Sequence, residues 1–362
     1  MNQSDVYYGD YLKLSELLSA QSPRSAKIGK PVHDEMLFII VHQAYELWFK
    51  QILHDIDSIA GLFSGEHLSQ ADLGTVLSRM DRIIKIQKIL IDQLEVLETM
   101  TPMDFLEFRD LLSPASGFQS VQFKLIENKL GLPVETRVKI GGQDYKQHLS
   151  TEDRDTVQAT ETGDSLFILV EKWLERTPFL NIDGFNFWDS YREAVNKTLE
   201  ADKERIRSHP IMSKDGIAGS LKQYEKIEQS YNALFDDTEY NKLIATGERR
   251  LSQKATLAAL FILLYRDEPV IQLPHSFLRQ LVDIDHNLIS WRSRHSLMVF
   301  RMIGRKIGTG ASSGHEYLKK TVDKHYIFQD LTNLSSFIIA RSSLPELPTE
   351  LRRKLGFYFT HE

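Results

Sequence analysis

From Asp34 to about Phe63 the apolar residues Leu37, Phe38, Ile40, Val41, Ala44, Leu47, Trp48, Ile52 and Ile56 fall nearly all the way round a helix. A helix that is apolar on most sides has to lie in the middle of other elements, so this stretch demands a protein built around a buried helix. Two polar residues break the pattern, His42 and Glu46. Phe38, His42 and Tyr45 share one face at i, i+4 and i+7, which puts an aromatic one turn away on either side of the imidazole. Such a histidine is either a structural hydrogen-bonder or a group that faces a ligand, and spacing leaves both readings open.

A second isolated imidazole stands near the C-terminus. The stretch from Trp291 to Arg305 reads as the end of a long helix, with Ser276 as a cap candidate at its start, after Leu273-Pro274. Leu288, Trp291, His295, Met298, Val299 and Met302 recur at three- and four-residue steps, so one histidine sits in a broad apolar and thioether stripe. It is a hydrogen-bonded core histidine or a metal ligand. Almost at once follows Gly308-Thr309-Gly310-Ala311-Ser312-Ser313-Gly314, a loop without bulky side chains.

The rest of the chain is helical in pattern. A second long helix is expected from about Ala71 to Met100, opened by Ser69-x-x-Asp72, close to a capping box. Thr101-Pro102-Met103-Asp104 has the cap, the first-turn proline and the acid of a new start. Its apolar side carries Phe105 and Phe108, with Arg109 one turn after Phe105. The chain must break at Ser113-Pro114-Ala115-Ser116-Gly117 and resumes helical spacing from Phe118 to Leu130. Residues 131–165, with Gly141-Gly142 and then a polar, acidic 150–164 interval, are the least regular and read as a loop or small subdomain. Further helices are expected over 166–176, 189–208, 221–235, 251–265 and 315–323, with 208–219 as a polar linker. Little alternates with the period of a strand. The fold class is all-α: a helical bundle domain, with a helical insertion at about 178–250.

Several functional classes fall away. The chain has no cysteine, which excludes disulfides, thiolate catalysis, thiolate-held metals and haem attached through a C-x-x-C-H motif. Its net charge of −6 argues against nucleic acid or an acidic membrane as the main partner. The longest apolar run, Leu257 to Tyr265, falls short of the roughly 18 residues a membrane span needs. The first residues lack the pattern of a signal peptide, so a cytoplasmic location is expected. The glycine-rich loop lacks the Gly-Lys-Ser/Thr ending of a phosphate loop and follows a helix, not a strand. Of the 12 histidines only His286 has an acid three places before it, half of what a carboxylate-bridged di-metal site needs. Asp34 and Glu35, beside His33, read as first-turn acids that favour the helix dipole.

What is left is a helical core with one histidine on a Met- and Trp-lined stripe, another on an aromatic stripe, and an arginine beside a phenylalanine. Those are the parts of a non-covalent haem site with one imidazole ligand. Arg109 could clamp a carboxylate or form a surface ion pair.

The same residues carry a resemblance. His33-Asp34-Glu35-Met36-Leu37-Phe38-Ile39-Ile40-Val41-His42-Gln43-Ala44-Tyr45-Glu46-Leu47-Trp48 resembles the signature of tryptophan 2,3-dioxygenases. So do Phe108-Arg109-Asp110-Leu111-Leu112-Ser113-Pro114-Ala115-Ser116-Gly117-Phe118-Gln119-Ser120 and Trp291-Arg292-x-x-His295 through the glycine-rich loop. Tyr8-Gly9-Asp10-Tyr11-Leu12 and Glu171 to Pro178 are similar too, so the likeness runs in order over nearly the whole chain.

The resemblance implies a haem b enzyme that opens the indole ring of L-tryptophan with O2, giving N-formyl-L-kynurenine, in a cytosolic homotetramer. It makes His295 the proximal ligand, with Trp291, Ser116 and Gly117 near the haem. His42 would bond the indole N–H, and Phe38, Ile39, Ile40, Val41 and Phe105 would face the substrate. Arg109 would pair with the substrate carboxylate, and Thr309 would contact its amino-acid end. Tyr8 and Tyr11 would reach a neighbouring subunit's pocket from a docking segment over residues 1–20, and residues 1–362 would form one haem-dioxygenase domain. Where some bacterial members have a tyrosine toward the carboxylate, this chain has Phe105, as animal members do. The long 177–247 region is also of the animal type. Other classes left open are a related haem oxygenase acting on another aromatic amino acid, a haem sensor or carrier, and a purely structural helical protein.

Overall fold

A computed structural model of the chain describes residues 6–65, 67–139, 142–177, 181–182, 185–306 and 314–356. Apart from a two-residue antiparallel ladder, in which Asn181–Ile182 pairs with Phe185–Asn186, every regular element described is helical. The all-α expectation holds. The chain divides into two compact units. One comprises Met1–Ser58, Arg82–Gly163 and Ile284–Ile327, and the other Ile59–Asp81, Asp164–Asp283 and Phe328–Glu362.

The first unit is organised by the expected helices. Asp34–Phe63 is continuous, as its periodicity predicts, and contributes Val41, Tyr45, Phe49, Ile52 and Ile56 to the core. Gln70–Leu97, which belongs to the first unit from Arg82 on, begins in the second at the expected box: the Ser69 hydroxyl accepts from the Asp72 N–H at 3.1 Å and the Asp72 carboxylate accepts from the Ser69 N–H at 3.0 Å. Pro102–Arg109 starts the same way, with Thr101 and Asp104 closing a full capping box. Val121–Leu130 stops where Gly131 turns left-handed at φ 109°, a conformation a β-carbon disfavours. Gln272–Ile303 ends likewise at Gly304, φ 58°.

The second unit has its own core. Helices Leu166–Glu175 and Gln253–Leu264 pack together, and Trp173, Phe63 and Phe277 meet edge-on and stacked, with centroids 5.1–6.0 Å apart. Buried Asp330 accepts from the Arg250 and Leu251 N–H groups at 2.6 Å each, which caps the approach to the Gln253–Leu264 helix.

Four local expectations are corrected. The acidic interval after Ser150 is not a loop but a helix, Thr151–Glu161. It carries one buried apolar residue, Val157, too few for a periodic signal. The Ser150 hydroxyl accepts from the Asp153 N–H, and Asn128 Nδ2 donates to the Val157 carbonyl and the Thr160 hydroxyl. The polar linker ends early because Ser213 caps a helix over Lys214–Leu234. A helix over Asp237–Ala245, capped by Asp236, was not anticipated. Ser276 is no cap: the long helix already begins at Gln272, and Pro274 sits in its first turn, where an N–H would have no intrahelical partner anyway.

Glu35 also differs from its reading as a first-turn charge. It is 1 % exposed and accepts from Arg24 N–H at 2.6 Å, Ser25 N–H at 2.9 Å and the Ser25 hydroxyl at 2.5 Å, which pins the preceding loop to the site-bearing helix. Glu35→Ala strands these donors, so it should cost about 1–3 kcal/mol, seen as a lower urea midpoint at unchanged slope.

Candidate active site

Within the first unit lies a cavity of ≈ 290 Å³. The Asp34–Phe63 helix lends it Phe38, His42, Tyr45, Glu46 and Phe49, successive positions of one face. Leu94, Leu97 and Met100 come from the next helix and its end, and Phe105 and Arg109 from the short capped one. Ser116, Gly117 and Phe118 follow on a turn closed by a Ser116–Gln119 capping box, then Ser120, Phe123 and Lys124. Trp291, Arg292, His295, Met298, Val299, Met302 and Ile303 line the opposite helix, and Tyr317, Leu318 and Thr321 belong to Gly314–Lys324.

His295 is held by rings. Trp291 lies one turn before it with the two planes 12° apart and centroids 5.0 Å apart. The indole Nε1–H donates to the Tyr45 hydroxyl at 3.4 Å, and that hydroxyl donates to the Leu90 carbonyl at 2.5 Å. Phe123 packs on the indole at 5.2 Å. Burial, then the neighbouring His42 and Arg292, push the His295 pKa down to about 4, so the ring is neutral at pH 7. Its Nδ1 is buried without a hydrogen-bond partner. A core histidine of the ordinary kind would have one, so the ligand reading of this residue gains. Among the described residues no group of three His, Cys, Asp or Glu side chains could hold a metal ion.

His42 contrasts with it. Its Nδ1 lies 2.7 Å from the Phe38 carbonyl, an acceptor, so Nδ1 carries the proton and Nε2 keeps a lone pair. The ring is exposed, but to the cavity. Desolvation there lowers its pKa against the opposing pull of the Phe38 carbonyl and Glu46. Phe38 is 4.1 Å from the His42 ring, centroid to centroid, and 5.8 and 5.6 Å from Phe105 and Phe108, an aromatic wall one helix turn deep. Glu46 is held by two donors. It accepts from the Ser120 hydroxyl at 2.6 Å and from Gln122 Nε2 at 2.9 Å, tying two walls together.

The geometry thus brings together eight of the sequence-selected residues: Phe38, His42, Phe105, Arg109, Ser116, Gly117, Trp291 and His295. Ile39, Ile40 and Val41 are outside the cavity wall. Consecutive helical residues step round the axis, so Val41 is buried in the core and Ile40 is 49 % exposed. Tyr8 and Tyr11 are 70 % and 75 % exposed and outside the wall too. Thr309, with the rest of the glycine-rich loop up to Ser313, lies outside the described residues.

Comparison with known proteins decides the family. The family model described as tryptophan 2,3-dioxygenase matches residues 1–338. A tryptophan 2,3-dioxygenase of Dictyostelium discoideum is 50 % identical over 356 residues, 98 % of this chain and 89 % of the relative. The chain belongs to the tryptophan 2,3-dioxygenase family. Namesakes from Bdellovibrio bacteriovorus and Anopheles gambiae are 48 % and 46 % identical, covering 99 % and 98 % of this chain and 100 % and 91 % of their own. A bacterial and an insect member of the family are thus about equally similar, so identity alone does not mark the chain as animal-type.

Sequence reasoning missed one part of this family member's site. Glu127 is fully buried on Val121–Leu130, with Arg292 Nη2 at 2.6 Å, Lys124 Nζ at 3.6 Å, and Arg137 in contact with the same carboxylate. Its pKa lies well below the usual carboxylate range: burial raises it, and Arg137, Lys124 and Arg292 together overcome that. The signal was available as Lys124-x-x-Glu127 inside an apolar helix. A depressed carboxylate pKa contributes stability that is present above the unfolded value and lost as pH falls through the folded one. Glu127→Gln, which leaves three buried cations, should cost about 3–5 kcal/mol in urea unfolding at pH 7. The gap to wild type should shrink as pH falls below about 4.5, the carboxyl's ordinary value.

Proposed function

We propose that this chain opens the indole ring of L-tryptophan with O2 to give N-formyl-L-kynurenine, using haem b with His295 as its proximal ligand. The observation that carries the reading is the pairing of a neutral, uncommitted imidazole, His295, with a fixed-tautomer imidazole, His42, in one cavity.

The residues present fit a haem. His295 is deprotonated and has no competing hydrogen bond at Nδ1. Around it are Trp291, Met298, Val299 and Met302, side chains that suit a large apolar ring. Bound there, a ferrous haem supplies the O2-binding metal and the redox chemistry of ring opening. The protein's own part is binding, orientation and exclusion of water. Phe38 and Phe105 offer aromatic faces to the indole. His42, its Nδ1–H engaged by Phe38, presents Nε2 as an acceptor for the indole N–H. Arg109 meets the substrate carboxylate with a charge-assisted pair, and Ser116 and Thr309 serve its amino-acid end.

Further proposals complete the picture. The chain acts as one haem-dioxygenase domain with an added helical segment at about 178–250. It works as a cytoplasmic homotetramer in which the segment 1–20 docks on a neighbour, with Tyr8 and Tyr11 entering that neighbour's pocket. In support, Val6, Tyr7, Tyr8 and Tyr11 are all at least 70 % exposed, a dense apolar patch for one chain to leave in water. No described helix is long and apolar enough to cross a membrane.

The test is to reduce the haem-loaded protein anaerobically, then add L-tryptophan and O2. Absorbance should grow at the formylkynurenine band; none, despite full haem loading, would point to an oxygenase of another aromatic amino acid. Arg109→Ala should raise the tryptophan KM about tenfold or more with haem content unchanged, since one charge-assisted contact is worth roughly 1.5–3 kcal/mol. An unaltered KM removes Arg109 from the site. Because His42 orients and is not an obligatory base, His42→Ala should retain measurable turnover. A loss as complete as that of His295→Ala would refute that role.

A further inference from the structure

The charges around Glu127 do not balance. Lys124, Arg137 and Arg292 share this one carboxylate. His325 also faces it at 3.4 Å, but the Val138 N–H donates to His325 Nε2, so His325 offers Nδ1–H as a neutral ring. The next carboxylate, Glu161, is engaged by Lys146 at 2.8 Å and by the Tyr145 hydroxyl, and so brings no surplus negative charge. Among the described residues, three cations against one anion leave two positive charges uncompensated in groups with side chains at most 8 % exposed. Buried charge without a counter-charge is strongly disfavoured, so the arrangement calls for an anion.

The surplus is directed at the cavity. Arg137 is occupied elsewhere, donating to Asn128 at 2.5 Å and lying over the Tyr145 ring at 4.6 Å. Lys124 and Arg292, by contrast, both line the cavity, and Arg292 Nε, like Arg137 Nε, is buried with no hydrogen-bond partner. Arg292 lies three residues before His295 on the same helix, hence on a neighbouring face, and its charge is felt by that imidazole. An anion held here sits beside the metal-ligand position. Arg109, the clamp assigned to the substrate, belongs to a different helix.

We propose that Lys124 and Arg292 form the anion-binding wall of the cavity and take the carboxylate side chains of the bound porphyrin. The two surplus charges match the two carboxylates of that cofactor, and Glu127 positions both cations. This rests on the haem reading above and adds the residues that fix the porphyrin's acidic edge. Burial lowers the Lys124 pKa, as do the neighbouring Arg137 and Arg292, against the pull of Glu127, so a second anion beside it would favour the ammonium form.

The test separates this proposal from its competitors. Full-length protein freed of porphyrin is titrated with haem and, from the same detergent solution, with haem dimethyl ester, following the Soret band. Wild type should bind the diacid at least about tenfold more tightly than the diester, a comparison that needs no variant. Lys124→Met should lose about tenfold in affinity for the diacid and little for the diester. Its melting temperature without porphyrin should be unchanged or higher, because a surplus buried cation has gone. Equal binding of diacid and diester by wild type overturns the proposal. So does a Lys124→Met variant that is destabilised yet keeps the diacid preference, since the lysine would then serve only Glu127. A raised tryptophan KM with the diacid preference intact would assign the wall to the substrate's carboxylate instead, and also overturns it. Absence of any Soret band with either porphyrin would remove the haem reading itself, and this inference with it.

Discussion

The Glu127 carboxylate is the contact on which the site depends. It lies on Val121–Leu130, yet it gathers Arg292 from the long C-terminal helix, Arg137 from the loop after Gly131 and His325 from the end of Gly314–Lys324. Those segments are distant in sequence, and each of them, or the helix beside it, carries part of the cavity wall. A charge in a low-dielectric interior tolerates little displacement of its partners, because separation costs far more there than in water. Glu127 therefore sets the register of Gln272–Ile303 against Val121–Leu130. That register places Trp291 against Phe123, and His295 follows one turn later on the same helix.

The two histidines are kept different by what each nitrogen touches. His42 gives its Nδ1 proton to a carbonyl of its own helix, so its tautomer is set by local geometry and does not depend on the distal packing. His295 has no such partner and is positioned by ring stacking instead. One imidazole is thereby a directed acceptor, and the other is free to coordinate. Desolvation lowers the pKa of both, and in His295 the neighbouring His42 adds to it, so both are neutral in the range where each role requires it.

Much of this was legible in the sequence because the site is built on long helices. A face repeating at i, i+4 and i+7 already put Phe38, His42 and Tyr45 together, and the same rule aligned Trp291 with His295. Capping chemistry located the starts at Ser69 and Thr101 to within a residue. What failed was whatever tertiary contacts decide. The Thr151–Glu161 helix has one buried apolar side chain and is captured by Asn128, which no periodicity reveals. Ile39, Ile40 and Val41, which the resemblance sets facing the substrate, lie outside the cavity wall, because consecutive helical residues step round the axis. Lys124 and Glu127 carry no such signal, because charged residues three apart on a helix more often mark a solvated face than a buried cluster.

That last omission bears on how the chain is stabilised. The cavity combines apolar walls with a surplus of buried positive charge, and both are unfavourable for the protein on its own. A single ligand that is flat, apolar and doubly acidic at one edge answers both. Because such a ligand binds the folded chain and not the unfolded one, its binding adds directly to folding stability. The features that seem least favourable for the fold are then the ones that select its cofactor. Replacing Lys124 by an apolar residue would relieve part of that surplus and leave a less selective pocket, so the cost of this lysine is intelligible only through what the cavity holds.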